Sequence, residues 1–178
     1  MITTHVFIAT SLDGFIARQD GDIEWLLRRD DPSENHGYND FIADKDLILM
    51  GRGSYEKVAT FSSWPYSLPV LVLSTQLAAS PVPDALAGKV RFSSATPKEA
   101  LALLAAENVR RIYLDGGQLV QSFLREGLVS DMVITTVPVL LGAGRPLFGA
   151  LSNDIDLQLV SSRSFSSGLV QSRYKLLP

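Results

Sequence analysis

The chain has 178 residues, with 16 basic and 19 acidic side chains, a formal net charge of −3 and no cysteine. Its length suffices for a full hydrophobic core, and we predict a single domain over residues 1–178. The small negative charge argues against nucleic-acid binding, which usually shows as a basic face. The lack of cysteine excludes disulfides, thiolate catalysis and cysteine-ligated zinc.

Two further classes are disfavoured by the sequence. No stretch approaches the roughly 20 apolar residues of a membrane span, and the N-terminus lacks the pattern of a signal peptide. We therefore expect a cytoplasmic protein without a membrane partner. His5 and His36 are the only histidines and follow no metal-binding motif, so no metal site is predicted.

Strand and helix signals alternate along the chain, which predicts an α/β fold. The predicted elements are strand 5–10, helix 23–29, helix 38–45, strand 47–50, helix 53–59, strands 69–74 and 89–93, helix 97–107, strand 110–115, helix 117–127, strand 130–141 and an antiparallel hairpin over 155–165 and 168–177. The helix at 97–107 has strong local support, because Thr96 can cap it and Pro97 occupies the favoured first position.

The most informative segment is LILMGRGSYE at residues 47–56. Its four apolar residues fit a central strand that is covered on both faces, and Gly51 and Gly53 allow a tight turn with close approach of a ligand. Ser54 offers a hydroxyl, and Arg52 places a cationic fork beside a helix N-terminus. The pattern suits a phosphate, although a plain turn with a solvated arginine is the alternative.

A second junction of the same kind is YLDGGQ at residues 113–118. Backbone N–H groups at Gly116 and Gly117 can hold a diphosphate, or the glycines can simply allow close helix–strand packing. The motif is not GxGxxG, so a standard Rossmann domain is not predicted. Two such junctions in one α/β domain predict a shared dinucleotide, because ligands bind at the carboxyl ends of neighbouring strands.

Polar residues follow other predicted strands and turns. Ser74 and Thr75 can hold a 2′-phosphate near Arg52, or form a polar turn. Asp13 can orient a substrate or transfer a proton, or belong to a common Asp-Gly turn. Arg145, in a glycine-rich loop, can pair with an anion or remain a surface charge.

Four residues between positions 13 and 30 are candidates for the substrate side. Trp25 can stack on a planar ring or fill the core, and core filling is the commoner fate. Asp13, or a water that it holds, is the first candidate for proton delivery, with Glu24 and Asp30 as weaker ones.

Five segments in order, SLDGFIA, LILMGRGSYE, VLVLS, IYLDGGQLVQSFL and PVLLGAGRPLF, resemble the dihydrofolate reductase-like superfamily. Within it they resemble the reductase domain of bacterial riboflavin biosynthesis, over nearly the whole chain. The resemblance implies a three-layer α/β fold with a mostly parallel central sheet and a C-terminal antiparallel pair. It also implies NADPH as hydride donor and a homodimer. The apolar VITTVPVLL strand can serve an interface or simply be buried.

The resemblance also implies residue roles. The adenosine-side phosphates would face Gly51, Arg52, Gly53 and Ser54, and the 2′-phosphate would face Ser74 and Thr75. The diphosphate would be held by Gly116, Gly117, Gln118 and Leu119. The nicotinamide would lie beside Ala9, Ile16 and Gly21. The substrate would face Asp13 and Trp25.

Departures from the family patterns leave the substrate open. Folate-specific members carry a Pro-Trp pair before a helical carboxylate, whereas Trp25 follows Glu24 here. Riboflavin reductases usually have a Gly-Ala-Gly-Thr segment leading to Asp-Asp-Pro, and often a glutamate where this chain has Asp115. We predict an NADPH-dependent reductase of a small heterocycle or a ribosylaminopyrimidine. The alternatives are a non-catalytic nucleotide-binding module, a dihydrofolate or pteridine reductase, and a dimerising scaffold with vestigial pockets.

Overall fold

The computed structural model describes residues 1–29 and 31–177, whose strands form one eight-stranded sheet and one two-stranded sheet. In chain order the elements are β1 (Thr3–Ser11), β2 (Phe15–Ala17), α1 (Glu24–Leu27), α2 (Tyr38–Ile42), β3 (Leu47–Gly51), α3 (Arg52–Val58), β4 (Val70–Leu73), a 3₁₀ turn (Asp84–Leu86), β5 (Val90–Ser93), α4 (Pro97–Ala106), β6 (Arg111–Asp115), α5 (Gly117–Arg125), β7 (Asp131–Val137), β8 (Arg145–Pro146), β9 (Leu157–Ser164) and β10 (Val170–Leu176). This order confirms the predicted α/β class.

The large sheet runs β5-β4-β3-β6-β1-β7-β10-β9. The first six strands in that order are parallel, whereas β10 is antiparallel to both β7 and β9. The predicted mostly parallel sheet with a C-terminal antiparallel hairpin is therefore confirmed. The small sheet pairs β2 with β8, two strands that the sequence did not predict.

Helices cover both faces of the parallel part, because its central strands are apolar on both sides. Leu47 and Leu49 of β3 belong to the cluster that contains residues of α4 and α5. Ile48 and Met50 belong to the opposite cluster, with residues of α3 and, partly buried, of α2. This division gives the three layers that the resemblance implies.

Local sequence explains several element ends. The hydroxyl of Thr96 accepts from the Glu99 N–H (3.4 Å), and the Glu99 carboxylate accepts from the Thr96 N–H (2.8 Å), so a capping box starts α4. The strand predicted over 130–141 is shorter and ends at Val137, immediately before Pro138, whose ring nitrogen cannot donate to a sheet. The helix predicted over 38–45 is also shorter and ends at Ile42.

The site is positioned by the path of the chain through the sheet. The chain passes from β1 to β3, runs outward through β4 to β5, and then returns so that β6 lies between β3 and β1. The turns after β3, β6 and β1 consequently meet at one edge of the sheet. In doubly wound sheets, a crevice at such a reversal is where ligands bind.

Candidate active site

The two glycine turns predicted to share a ligand are in contact. Gly116 has a φ of +106°, and a Cβ placed on it would lie 2.6 Å from Oγ of Ser54 and 3.7 Å from the backbone nitrogen of Gly51. A Cβ on Gly51 would lie 3.6 Å from Cβ of Leu119. Glycine at position 116 thus meets both a backbone requirement and a lack of space.

The first turn of α5 packs against the small sheet formed by β2 and β8. A Cβ on Gly117 would lie 2.8 Å from the carbonyl oxygen of Pro146 and 2.9 Å from Cδ1 of Ile16. Gln118 is exposed and Leu119 is buried at the same helix start. Ile16, which the resemblance puts near the nicotinamide, therefore lies beside the turn predicted to hold the diphosphate.

The side chain of Arg145 lies between Gly21 and Gly53, a position that the sequence alone did not indicate. Its Nη2 lies 3.4 Å from where a Cβ on Gly21 would be, and its Nη1 lies 3.5 Å from the equivalent point on Gly53. Its Nε donates to the carbonyl of Gln19 at 3.2 Å. The guanidinium spans the gap between the loop before α1 and the first turn of α3.

Arg52, the cation predicted to face a phosphate, follows β3 but bonds along its own helix. Its Nη1 donates to Oε1 of Glu56 at 2.8 Å, one turn later. The two side chains are 44% and 51% exposed, so the pair is easily rearranged.

Ser74 and Thr75 follow β4 at the same edge, because Leu73 pairs with Gly51 in the parallel register. Oγ of Ser74 accepts from the N–H groups of Gln76 and Leu77, both at 3.2 Å, and Thr75 is exposed. The segment is thus a polar turn, and its position beside the start of α3 is the one that the phosphate hypothesis requires.

Asp13 ties the loop after β1 to the loop after β7. Its carboxylate accepts from the hydroxyl of Ser11 (2.6 Å) and from the N–H groups of Leu141 (3.1 Å) and Gly142 (2.7 Å). These bonds, led by that from Ser11, lower the pKa of the Asp13 carboxyl. A carboxylate held in its charged form by three donors is better suited to positioning than to proton delivery.

The other residues expected beside the substrate or the nicotinamide differ in their surroundings. The indole of Trp25 is 1% exposed and packs with Val137 and Leu169, which agrees with the core-filling alternative. Ala9 is partly buried against the same cluster. Glu24 is exposed in the first turn of α1, and Asp30 lies outside the described residues.

Asp115 is a partly buried carboxyl that ends β6 immediately before Gly116. Burial raises the pKa of Asp115 from 3.8 to about 6, and the hydroxyls of Tyr113 and Tyr66 offset only part of that rise. Tyr38, at the start of α2, also lies close enough for the Asp115 charge to raise its pKa, although burial is the larger cause. Perturbed carboxyls in clefts are candidates for acid–base roles.

Tyr38, Tyr66 and Tyr113 lie close to the Asp115 carboxyl, and their rings pack on other aromatic side chains. The ring centroids of Tyr38 and Tyr113 are 6.4 Å apart, and those of Trp64 and Tyr66 are 5.5 Å apart. We call Tyr38, Trp64, Tyr66 and Tyr113 the aromatic cluster. Among the described side chains, Nε1 of Trp64 is one of three buried polar atoms without a hydrogen-bond partner.

Comparisons with known proteins settle the family. The sequence pattern of the RibD C-terminal domain matches residues 3–171. The chain belongs to the RibD C-terminal domain family. It is also 34% identical over 169 residues to the uncharacterized protein YwjB of Bacillus subtilis (strain 168), covering 93% of this chain and 94% of YwjB.

Solved structures agree with this membership. A protein of Shewanella sp. PV-4, provisionally named a riboflavin biosynthesis protein, is 36% identical with a TM-score of 0.93, over 99% of this chain and 100% of that one. The diaminohydroxyphosphoribosylaminopyrimidine deaminase/5-amino-6-(5-phosphoribosylamino)uracil reductase of Thermotoga maritima is 15% identical with a TM-score of 0.76, over 99% of this chain and 57% of that one. The latter likeness concerns the fold alone. The predicted branch of the superfamily is confirmed.

This RibD C-terminal domain also has a groove of about 420 Å³ away from the glycine turns. It lies between α2 and the C-terminal strands, and its lining mixes cations such as Arg163 and Arg173 with anions such as Asp44 and Asp131. His5 Nδ1 is 2.8 Å from Oδ2 of Asp131 at its base. Nη2 of Arg173 lies 3.8 Å from Oδ2 of Asp131, and Arg163 bonds to the neutral oxygens of Asn35 and Gln171. The groove includes none of the residues predicted to contact cofactor or substrate.

The described residues contain neither a metal-binding cluster nor a membrane-spanning helix. No group of three His, Cys, Asp or Glu side chains in residues 1–29 and 31–177 is arranged to hold a metal ion. Within the same ranges, no helix is both long and apolar enough to cross a lipid bilayer.

Proposed function

We propose that this chain is an NADPH-dependent oxidoreductase that reduces a small heterocycle. The observation that carries the proposal is the contact between the turns after β3 and β6, where Gly116 leaves only the space that a hydrogen needs beside Ser54. Close approach of two glycine turns at the carboxyl edge of a parallel sheet is typical of a dinucleotide site.

The residues at this edge fit the cofactor. Backbone N–H groups at Gly116 and Gly117 and the hydroxyl of Ser54 can donate to phosphate oxygens. Arg52, Ser74 and Thr75 lie together at the ends of neighbouring strands, and we assign them to the 2′-phosphate side. We assign the remaining turn and loop residues to the cofactor as well, namely Gly51, Gly53, Gln118, Leu119, Ala9, Ile16 and Gly21.

The bound cofactor supplies a hydride, and the chain supplies orientation and a proton. Asp115 is our candidate for the proton, because its pKa of about 6 keeps a fraction protonated near neutral pH. Asp13 then acts by holding two loops in place, and Trp25 supports them from the core. Glu24 and Asp30 remain weaker candidates for proton transfer.

The surroundings of Asp115 favour a flat ring as substrate. Tyr38 and Tyr66 lie close to Asp115, Trp64 packs edge-on against Tyr66 at 5.5 Å, and aromatic faces stack on planar rings. In the described residues, no lysine or arginine forms an ion pair with Asp115. A pteridine-like ring and a ribosylaminopyrimidine both stay within the proposal, because each contains a planar ring that an aromatic face can stack on. A non-catalytic module of the same fold would bind the cofactor and turn over neither.

The test is a fluorescence titration of the purified protein with NADPH, followed by turnover assays with a ribosylaminopyrimidine, a pteridine and dihydrofolate. Gly116→Ala should abolish cofactor binding, because its Cβ would meet Oγ of Ser54 at 2.6 Å. Gly127→Ala is the matched control, since Gly127 also has a positive φ (+65°) but nothing within 4 Å of its Cβ position. Failure of the unaltered protein to bind high-micromolar NADPH would overturn the proposal. Binding without turnover would favour the non-catalytic module.

Three wider properties belong to the same proposal. The chain is one domain, because its parallel strands and its C-terminal hairpin share one sheet. It acts in the cytoplasm. It forms a homodimer through β9, the edge strand of the large sheet, all eight residues of which are exposed. The VITTVPVLL segment is less suited to that role, because β7 lies inside the sheet between β1 and β10.

A further inference from the structure

We propose that Arg145 binds the diphosphate of the dinucleotide and that Asp13 holds it in position, an inference that rests on the proposed function. Arg145 is absent from the residues that the family resemblance assigns to the cofactor. Its placement depends on two loops that are more than 100 residues apart along the chain.

Arg145 lies between the two sides of the proposed cofactor site. The guanidinium of Arg145 lies between Gly21 and Gly53, with Nη2 at 3.4 Å and Nη1 at 3.5 Å from the points where their Cβ atoms would be. Gly21 is assigned to the nicotinamide side and Gly53 to the adenosine side. The diphosphate joins those two halves of a dinucleotide, so a cation between the two glycines is placed for it rather than for the 2′-phosphate beside Ser74.

Arg145 differs in its charge pairing from Arg52 and Arg18. Arg52 is paired with Glu56, and Arg18 is paired with Asp22. In the described part of the chain, Arg145 has no carboxylate within ion-pair distance, and its one hydrogen bond goes to the neutral carbonyl of Gln19. An exposed guanidinium with most of its donors available suits bidentate binding of phosphate oxygens.

The backbone around Arg145 is fixed by contacts with β2 and with Asp13. Arg145 pairs with Ala17 across the small sheet, and the next buried residue, Leu147, donates its N–H to the carbonyl of Gly14 at 3.0 Å. A Cβ on Gly144 would collide with the carbonyl oxygen of Ala17, so the backbone before Arg145 is held close to β2. Asp13 fixes the start of the same loop at Leu141 and Gly142. A preorganised cation loses little freedom when the ligand binds.

The experiment measures the dissociation constants of NADPH and NADH for Arg145→Ala and Arg145→Lys by fluorescence titration. Loss of charged hydrogen bonds to the diphosphate should weaken both cofactors by the same factor, about 10- to 100-fold for Arg145→Ala. Arg145→Lys should recover part of the loss. Ser74→Ala should weaken NADPH more than NADH. Arg125→Ala, an exposed arginine at the far end of α5, is the control for a simple change of net charge.

The positioning role of Asp13 is tested by a double-mutant cycle. Asp13→Ala should weaken both cofactors, and it should add little in the Arg145→Ala background, because its effect passes through Arg145. Additive losses would overturn that part of the inference. Unchanged affinities in Arg145→Ala, or a loss confined to NADPH, would overturn the diphosphate assignment. If the unaltered protein bound neither cofactor, the proposed function itself would fail, and the inference with it.

Discussion

At the scale of single residues, Asp115 shows what strand-end burial does to a carboxyl. It follows three buried residues of β6 and precedes a glycine turn, so its carboxyl is partly shielded from water. Burial disfavours its charged form, and the nearby tyrosine hydroxyls compensate only in part. The result is a carboxyl that titrates close to neutral pH.

The raised pKa of Asp115 predicts how the free energy of unfolding changes with pH. The folded-state pKa of Asp115 is about 6 against 3.8 for the ordinary group, so the folded state binds the proton more tightly and loses stability as pH rises from about 4 to about 6. We expect Asp115→Asn to remove that loss. Its advantage over the unaltered protein should grow by about 1–3 kcal/mol across this range and then level off. Urea unfolding at several pH values measures it, with exposed Asp154→Asn as control, and a pH-independent difference would contradict the assignment.

A second prediction concerns Asp13. Because its carboxylate accepts from the N–H groups of Leu141 and Gly142, Asp13→Ala should speed hydrogen exchange at these two amides. The amide of Val70, which donates to the carbonyl of Lys89 (2.8 Å) in the remote β4–β5 pair, is the internal reference. Equal protection of residues 141 and 142 in both proteins would show that the carboxylate does not hold this loop.

Residues differed in how far the sequence could predict them. The contact between Gly116 and Ser54 followed from two strand-glycine-helix motifs, because parallel strands bring their carboxyl ends together. The position of Arg145 could not be predicted, since it depends on the pairing of β2 with the two-residue β8, which is too short to produce a periodic pattern. The pKa of Asp115 depends on side chains from α2 and from the segment before β4, and no local pattern reports them.

At the scale of elements, the loop before α2 is fixed to the turn between β9 and β10. The Glu34 carboxylate accepts from the Ser167 N–H (2.8 Å) and from the hydroxyls of Ser166 (2.7 Å) and Ser167 (2.6 Å). These bonds, led by that from the Ser167 hydroxyl, lower the pKa of Glu34 from 4.5 to about 2. Gln171 of β10 adds a bond from Nε2 to the carbonyl of His36 (2.9 Å).

The lowered pKa of Glu34 predicts a pH dependence of folding stability opposite to the one predicted for Asp115. A folded-state pKa below the unfolded value contributes stability above about pH 4.5, and this stability is lost as pH falls toward about 2. Glu34→Gln should therefore lower the urea midpoint at neutral pH, and the deficit should shrink in acid. A deficit that is constant down to about pH 2 would mean that the charge is not responsible.

Elements with strong local signals were predicted well, and those defined by distant partners were not. The helix at 97–107 carries its own capping box, and α4 occupies all but the last of those residues. The helix predicted at 38–45 spans only Tyr38–Ile42, because the Lys45 N–H bonds to the carbonyl of Ile42 (3.1 Å) in a tighter turn and the Lys45 ammonium takes the carbonyl of Phe41 (2.8 Å).

At the scale of the whole molecule, β9 exposes apolar side chains at the edge of the large sheet. Leu159 and Val160 are 56% and 54% exposed on an edge strand, which is a liability unless another surface covers them. We expect the protein to sediment at twice its chain mass of 19.4 kDa and Leu159→Glu to sediment as a monomer. Leu103→Glu, at a similarly exposed leucine of α4, should leave the assembly unchanged. A monomeric unaltered protein would contradict the proposed dimer.

The insertion of β6 between β3 and β1 has a consequence for the order of folding during synthesis. β1 is the first strand to leave the ribosome, yet its partners in the sheet are β6 and β7, which begin at Arg111 and Asp131. Until then β3, β4 and β5 can pair only with one another, and β1 has no neighbour. A nascent chain that ends before residue 111 therefore leaves β1 without its sheet partners, and unpaired strands favour aggregation. The two glycine turns of the site come together only when β6 pairs with β3, so a chain that ends before residue 111 lacks the proposed cofactor site.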